Sequence, residues 1–340
     1  MSSVFITGAS GFIGRHLARR LAAEGYSLKC LVRSTSARAH LEALDAELLP
    51  TNLLDAEGLT CDVAGCDYVF HVAGMTCAFN PQDLTRINGE GSSALAQACA
   101  AQPNPPTVVI VSSLSAAGPV TNGIPHAANV VPRPVSDYGK SKRAGEIAFE
   151  RYAANVPTTI LRPGIVFGEE NTEMFPMFQS IRQTGLHALP GWKTPGRVCL
   201  IHVADLVELA MRAAYRGSRI SKLPGEDGFT GAGYYFAADS QFPRYDDLGR
   251  MIQQAMGARR MVPVPVPTPI LWTVGLISEK VAKLKGKPSI VNRDKAREGL
   301  AGDWIASPAQ AQEELGFVPA EDLQTRLHQT AAWYQNHGWL

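Results

Sequence analysis

Val4-Phe5-Ile6-Thr7-Gly8-Ala9-Ser10-Gly11-Phe12-Ile13-Gly14 opens the chain and decides how it folds. Val4 to Ile6 are a short apolar run suited to a buried strand, and from Phe12 the pattern turns helical, so the glycines occupy a strand-to-helix turn. Such a turn suits phosphate. Gly8 and Gly11 lack a Cβ and permit a tight bend with close approach of a diphosphate, while Gly14 lets helix and strand pack closely. The helix start adds free N–H groups carrying partial positive charge. A dinucleotide is the expected ligand, held by Gly8, Ser10, Gly11, Phe12, Ile13 and Gly14.

Composition narrows the class. The 340 residues are long enough for a large core and two lobes, and their charged share of 19% lies below the usual share of about 25%, which excludes a solvated or disordered chain. A net charge of +1 gives no field for nucleic acid. Cys30, Cys61, Cys66, Cys77, Cys99 and Cys199 contain no C-x-x-C pair, so reduced thiols in a cytoplasmic protein are expected, with no metal site. No basic-apolar-small succession precedes the first strand, so no signal peptide is expected.

Ser27 to Val32 read as a second strand ending at Arg33, where dinucleotide folds discriminate the ribose. An acid there would bond the ribose hydroxyls of NAD and repel a 2′-phosphate. Arg33-Ser34-Thr35-Ser36, with Arg38 nearby, instead offers a planar guanidinium and hydroxyl donors, so NADP is expected over NAD. Val108 to Val111 form a β-branched run fit for a central parallel strand and end in Ser112-Ser113. Alternation along a strand would send these two serines to opposite faces. Residues 115–134, rich in Gly, Pro and Asn, read as a loop, and a helix begins near Asp137. In that helix Tyr138 and Lys142 lie four apart, on one face. A neighbouring ammonium favours the phenolate and brings a tyrosine toward acid/base work at neutral pH.

Together these motifs resemble those of the extended short-chain dehydrogenase/reductase superfamily, the NAD-dependent epimerase/dehydratase type that includes dihydroflavonol reductases and 3β-hydroxysteroid dehydrogenases. The signature is T-G-x-x-G-F-I-G at 7–14, H-x-A-G at 71–74, N-x-x-G at 88–91, Ser-Ser before Y-x-x-x-K, L-R-P-x-x-V-F-G at 161–168 and I-H-V-x-D-L at 201–206. The resemblance implies an α/β fold, a Rossmann-type doubly wound parallel sheet with a smaller, mostly C-terminal substrate lobe. Residues 1–168 would form the first domain, with returns at about 197–216 and 233–240, and 169–196 with 241–340 the second.

By motif position the resemblance implies Tyr138 as acid/base, Lys142 as the ribose-binding and tuning lysine, and Ser113 as hydrogen-bond donor to the substrate oxygen, with Ser112 the neighbouring alternative. It also implies cofactor contacts from Asn52, Leu53, Val72, Ala73 and Gly74, and from Pro163, Gly164 and Val166 through the main chain. Asn52 stands where the family usually has an acid. His71 and Arg162 read as structural. The implied activity is an NADP(H)-dependent interconversion of a ketone and a secondary alcohol on a largely apolar small molecule. The alternative is a nucleotide-sugar epimerase or dehydratase with tightly bound NAD, against which Val198 stands where such members carry a diphosphate-gripping arginine, Arg197 being one position off. A homodimer is implied by analogy. Residues 269–287, an apolar run with Trp272 followed by lysines, are too short to span a bilayer and read as a lid or core helix, with peripheral membrane contact as the alternative.

Overall fold

The parallel order of the sheet follows from strands that are apolar on both faces and joined by helices. The computed structural model describes residues 2–191, 195–221 and 229–340; 192–194, in the expected second lobe, lie outside the described residues. The strands run β1 Ser3–Thr7, β2 Ser27–Leu31, β3 Glu47–Leu49, β4 Tyr68–His71, β5 Thr107–Val111, β6 Thr158–Pro163, β7 Ile165–Phe167, β8 Leu186–Pro190, β9 Leu200–His202, β10 Tyr234–Ala237 and β11 Val262–Val266. Seven form one sheet in the order β10-β6-β5-β4-β1-β2-β3, every pair parallel. The chain moves outward from β1 to β3 and then crosses back to β4. A crevice therefore opens beside the carboxyl ends of β1 and β4, the usual ligand position in such sheets.

Helices cover both faces. Phe12–Ala23, Val203–Arg216 and Ala309–Leu315 pack on one side, and Ala56–Asp62, Gly91–Ala100 and Asp137–Glu150 on the other. Each face has its own apolar core, with Leu17, Leu21 and Leu209 in one and Leu59, Leu95 and Phe149 in the other. Ala311, Leu315 and Phe317 belong to the first core, so the chain returns to the sheet once more within the stretch 241–340 assigned to the second lobe. The reason is physical: the edge of the sheet at β10 and the helix 203–216 would otherwise leave apolar surface in water.

The second lobe has a separate core. Phe178 and Ile181 from the helix Phe175–Thr184, Leu248 and Ile252 from Tyr245–Ala255, and Leu327 and Tyr334 from Leu323–Asn336 pack together there. Two short parallel pairs, β7 with β9 and β8 with β11, stand apart from the seven-stranded sheet. Asp205, at the start of the helix 203–216, closes the junction by accepting from Arg326 at 2.6 and 2.9 Å.

Candidate active site

The turn after β1 has the geometry its glycines require. Gly8 adopts φ +76°, and a Cβ there would stand 2.6 Å from the Ala73 amide nitrogen, so only glycine lets β1 approach the turn after β4. Gly14 is equally constrained, because a Cβ would collide with the Gly8 carbonyl. Gly11 precedes the helix Phe12–Ala23 in an extended conformation, and no side chain caps that helix or places an acid in its first turn. The uncapped amides around Phe12 and Ile13 fit an anionic diphosphate.

A polar cluster lies just beyond β2. Ser10 Oγ donates to Ser36 Oγ at 3.2 Å, Ser36 Oγ accepts from the Arg33 amide at 3.1 Å, and Arg38 reaches the Arg33 carbonyl. The exposed Arg33 side chain makes no hydrogen bond or ion pair among the described residues and lies close in sequence to Ser36, which meets Ser10 of the glycine turn. Asn52 turns its side chain onto its own loop, accepting from the Leu54 amide at 3.0 Å. Leu53 lies against Gly91, where a Cβ would crowd its side chain.

Val72, Ala73 and Gly74 follow β4 into the crevice, with Gly74 exposed. Behind them His71 bridges Thr7 Oγ1 at 2.7 Å and Ser92 Oγ at 2.8 Å. Burial, with the Lys142 charge adding to it, pushes its imidazole down to about 3. It stays neutral and holds β1, β4 and the helix 91–100 together. Asn88 sits in a π-helical turn at 86–90, a widening often found at functional sites. Its amide bonds both main-chain groups of Met75 and donates to Ser141 Oγ, tying the loop after β4 to the helix 137–150.

Ser112 and Ser113 part as alternation requires. Ser112 is buried and donates to Glu146 Oε1 at 2.6 Å, whereas Ser113 caps the short helix Leu114–Ala117 by accepting from the Ser115 amide at 3.1 Å. Burial is the main influence on the Tyr138 phenol and pushes it above its ordinary range; Lys295 and then Ser113 pull against this, while Glu173 and Glu298 push the same way. The phenol is therefore protonated at neutral pH, as a proton donor must be.

Lys142 points from the helix 137–150 toward the ends of β5 and β4. Its ammonium donates to the Val111 carbonyl at 2.8 Å and lies 3.3 Å from where a Cβ on Gly74 would sit; burial lowers it to about 8, with Glu146 opposing. The cation facing the Tyr138 ring is Lys295, whose Nζ is 4.8 Å from the ring centroid. Sequence reasoning missed it. Pro163 ends β6, and the amides of Gly164 and Ile165 are taken by Ala237 and Cys199, which limits main-chain contacts in the segment from Gly164 to Val166. Cys199 also presses against Gly164, leaving no room for a Cβ. Between the loop after β4 and the second lobe, a cavity of about 270 Å³ is lined by Phe79, Leu84 and Trp272 together with the charged Asp137, Arg293 and Arg297.

A seven-stranded doubly wound sheet with a glycine turn open to a diphosphate, and a serine and tyrosine meeting at its carboxyl edge, defines a dinucleotide-dependent enzyme. Residues 4–222 match the NAD dependent epimerase/dehydratase family, and the chain belongs to that family as an NAD(P)-dependent short-chain dehydrogenase/reductase. It is 30% identical to a ceramide reductase of Caulobacter vibrioides, covering 99% of this chain and 96% of that protein. It is 25% identical to a decarboxylating sterol-4-alpha-carboxylate 3-dehydrogenase of Dictyostelium discoideum, covering 93% and 100%. Among solved structures, gox2253 superposes with a TM-score of 0.74 at 25% identity over 99% of each chain. A UDP-glucose 4-epimerase of Thermotoga maritima superposes at 0.76 with 18% identity, over 98% and 99%, a likeness of fold.

Proposed function

We propose that the protein is an NADP(H)-dependent reductase of a ketone on a largely apolar small molecule, working reversibly through Ser113, Tyr138 and Lys142. What carries this reading is the placement of the half-buried Tyr138 on the first turn of the helix 137–150, with Ser113 at the end of β5 acting on its phenol and burial favouring the protonated form. When bound, the nicotinamide cofactor supplies the hydride. Ser113 and Tyr138 orient the carbonyl oxygen by two hydrogen bonds, and Tyr138 gives its proton to that oxygen as negative charge develops on it. Lys142 would hold the nicotinamide ribose from beneath Gly74. Arg33, with Ser10 and Ser36, supports a 2′-phosphate. An apolar substrate is supported by relatives named for ceramide and sterol chemistry. Arg197 speaks against a nucleotide sugar: its guanidinium is held by Asp303 at 2.6 Å and by the Gly123 carbonyl at 2.7 Å, so it is committed within the protein. Tyr138→Phe should still bind NADPH but lose roughly 10²- to 10⁴-fold in turnover; near-normal turnover would refute the role.

The same reading includes contact with an anionic lipid surface. The helix Thr268–Lys285 buries Gly275 and Ala282 and exposes Ile270, Val274, Ile277, Val281 and Leu284 on the opposite side. These aliphatics follow a spacing of four, three, four and three, one stripe of a helix. Lys280, Lys283, Lys285 and Lys287 are exposed beside it, while Glu279 is tied to Arg293. Apolar stripe and excess positive charge together complement acyl chains and anionic headgroups.

A further inference from the structure

We infer that Lys295, contributed by the second lobe, is a positioning residue for proton transfer, acting through the face of the Tyr138 ring. The inference rests on Tyr138 being the proton donor proposed above. Its starting point is how the helix Arg293–Leu300 seats on the helix 137–150. Asp294 accepts the Asp137 amide at 2.9 Å and the Tyr138 amide at 3.0 Å. Ser136 Oγ accepts the Gly139 amide at 2.9 Å and donates to Glu298 Oε1 at 2.6 Å. The first-turn amides of the tyrosine's helix are thus held by, or through, one helix of the other lobe.

Lys295 and Glu298 lie three apart on that helix, and Lys295 Nζ pairs with Glu298 Oε2 at 2.7 Å. This pair fixes the ammonium over the Tyr138 ring. A cation over an aromatic face is attracted by the ring's negative surface, and a positive charge at that distance lowers the cost of forming a phenolate. Lys142, one turn on along Tyr138's own helix, directs its ammonium to the Val111 carbonyl and toward Gly74. The groups facing Tyr138 are Ser113 from the turn after β5, Lys295 and Glu298 from the helix 293–300, and Glu173 from the loop after β7. Lys295 in turn is faced by Glu298, Tyr138 and Glu173, which hold its ammonium in the charged form despite burial. Asp137 and Lys142 complete the set on the tyrosine's own helix. Of these, Lys295 is the cation directed at the ring, and seating of the second lobe brings it there.

The test is a phenolate titration of the full-length protein by ultraviolet difference absorbance, subtracting a Tyr138→Phe control so that only Tyr138 is read. Lys295→Met, measured against Lys295→Met/Tyr138→Phe, should move the Tyr138 transition upward by about one pH unit or more. Lys295→Arg should restore most of the wild-type position. In turnover with NADPH and a water-soluble ketone, the alkaline limb of kcat should move the same way while KM for NADPH holds. A Lys295→Met transition that superimposes on the wild type overturns the inference, as does a Lys295→Arg transition displaced as far as that of Lys295→Met. The titration needs no ketone, so loss of the proposed reaction and loss of this inference are read separately.

Discussion

Arg33 stands at the end of β2 with its backbone anchored by Ser36 and its guanidinium free, next to a turn whose amides await a diphosphate. A hydrogen bond to a charged group contributes about 2 kcal/mol, close to 30-fold in affinity. Arg33→Ala should therefore raise KM for NADPH by roughly that factor and leave NADH kinetics nearly unchanged; initial rates with both cofactors check it, and equal losses with the two would place no phosphate there. The place of Arg33 at the end of β2 was legible because a strand end and its next residues are local. The helix that puts Tyr138 and Lys142 four apart was legible for the same reason. The pair Ser112 and Ser113 could be split by alternation but not assigned, since the answer depends on Glu146 claiming Ser112 from another element. Lys295 left no local signal at all: its position over Tyr138 arises from how two lobes meet.

The helix 137–150 is held at two points, and both matter to where Tyr138 sits. Its first turn is fastened by Asp294 and Ser136. Its middle is fastened through Glu146, which receives Arg162 at 2.9 and 2.7 Å behind the sheet. Arg162 is only 1% exposed and also lies over the Tyr234 ring at 4.5 Å, so the L-R-P arginine is spent on structure. Burial alone would raise the Glu146 carboxyl; Arg162, with Arg143 and Ser112, more than reverses this and keeps it ionised. Arg162→Met should leave that charge uncompensated and cost about 3–5 kcal/mol in urea unfolding, and adding Glu146→Leu should recover much of the loss. A single variant within about 1 kcal/mol of wild type would contradict the role. At this scale the doubly wound parallel class of the sheet was readable, because glycine turns, β-branched runs and connecting helices are sequential features. Which stretches pack where was less local: Ala311, Leu315 and Phe317 pack beneath the sheet, while the following helix Leu323–Asn336 builds the separate core of the other lobe.

At the scale of the whole molecule, the helix 268–285 lies between an outward apolar stripe and an internal cavity. Its stripe faces outward, with Ile277 55% and Leu284 88% exposed, while Trp272 and Ala282 line the cavity that also touches Asp294. Glu279 then joins this helix to Arg293 at 2.9 Å, at the start of the helix that carries Lys295. None of the helices among the described residues is long and apolar enough to cross a membrane, so the stripe would lie along a lipid surface. The full-length protein should co-sediment with vesicles containing phosphatidylglycerol more strongly than with pure phosphatidylcholine, and salt should weaken the difference. Ile277→Glu with Leu284→Glu should abolish sedimentation, and Lys283→Gln with Lys285→Gln should lower it about tenfold on the anionic vesicles only. Both variants should reduce a water-soluble ketone at the wild-type rate, since none of these residues touches Tyr138. Equal binding to neutral vesicles, or a stripe variant that changes the oligomeric state and leaves sedimentation intact, would assign the stripe to contact between copies of the chain.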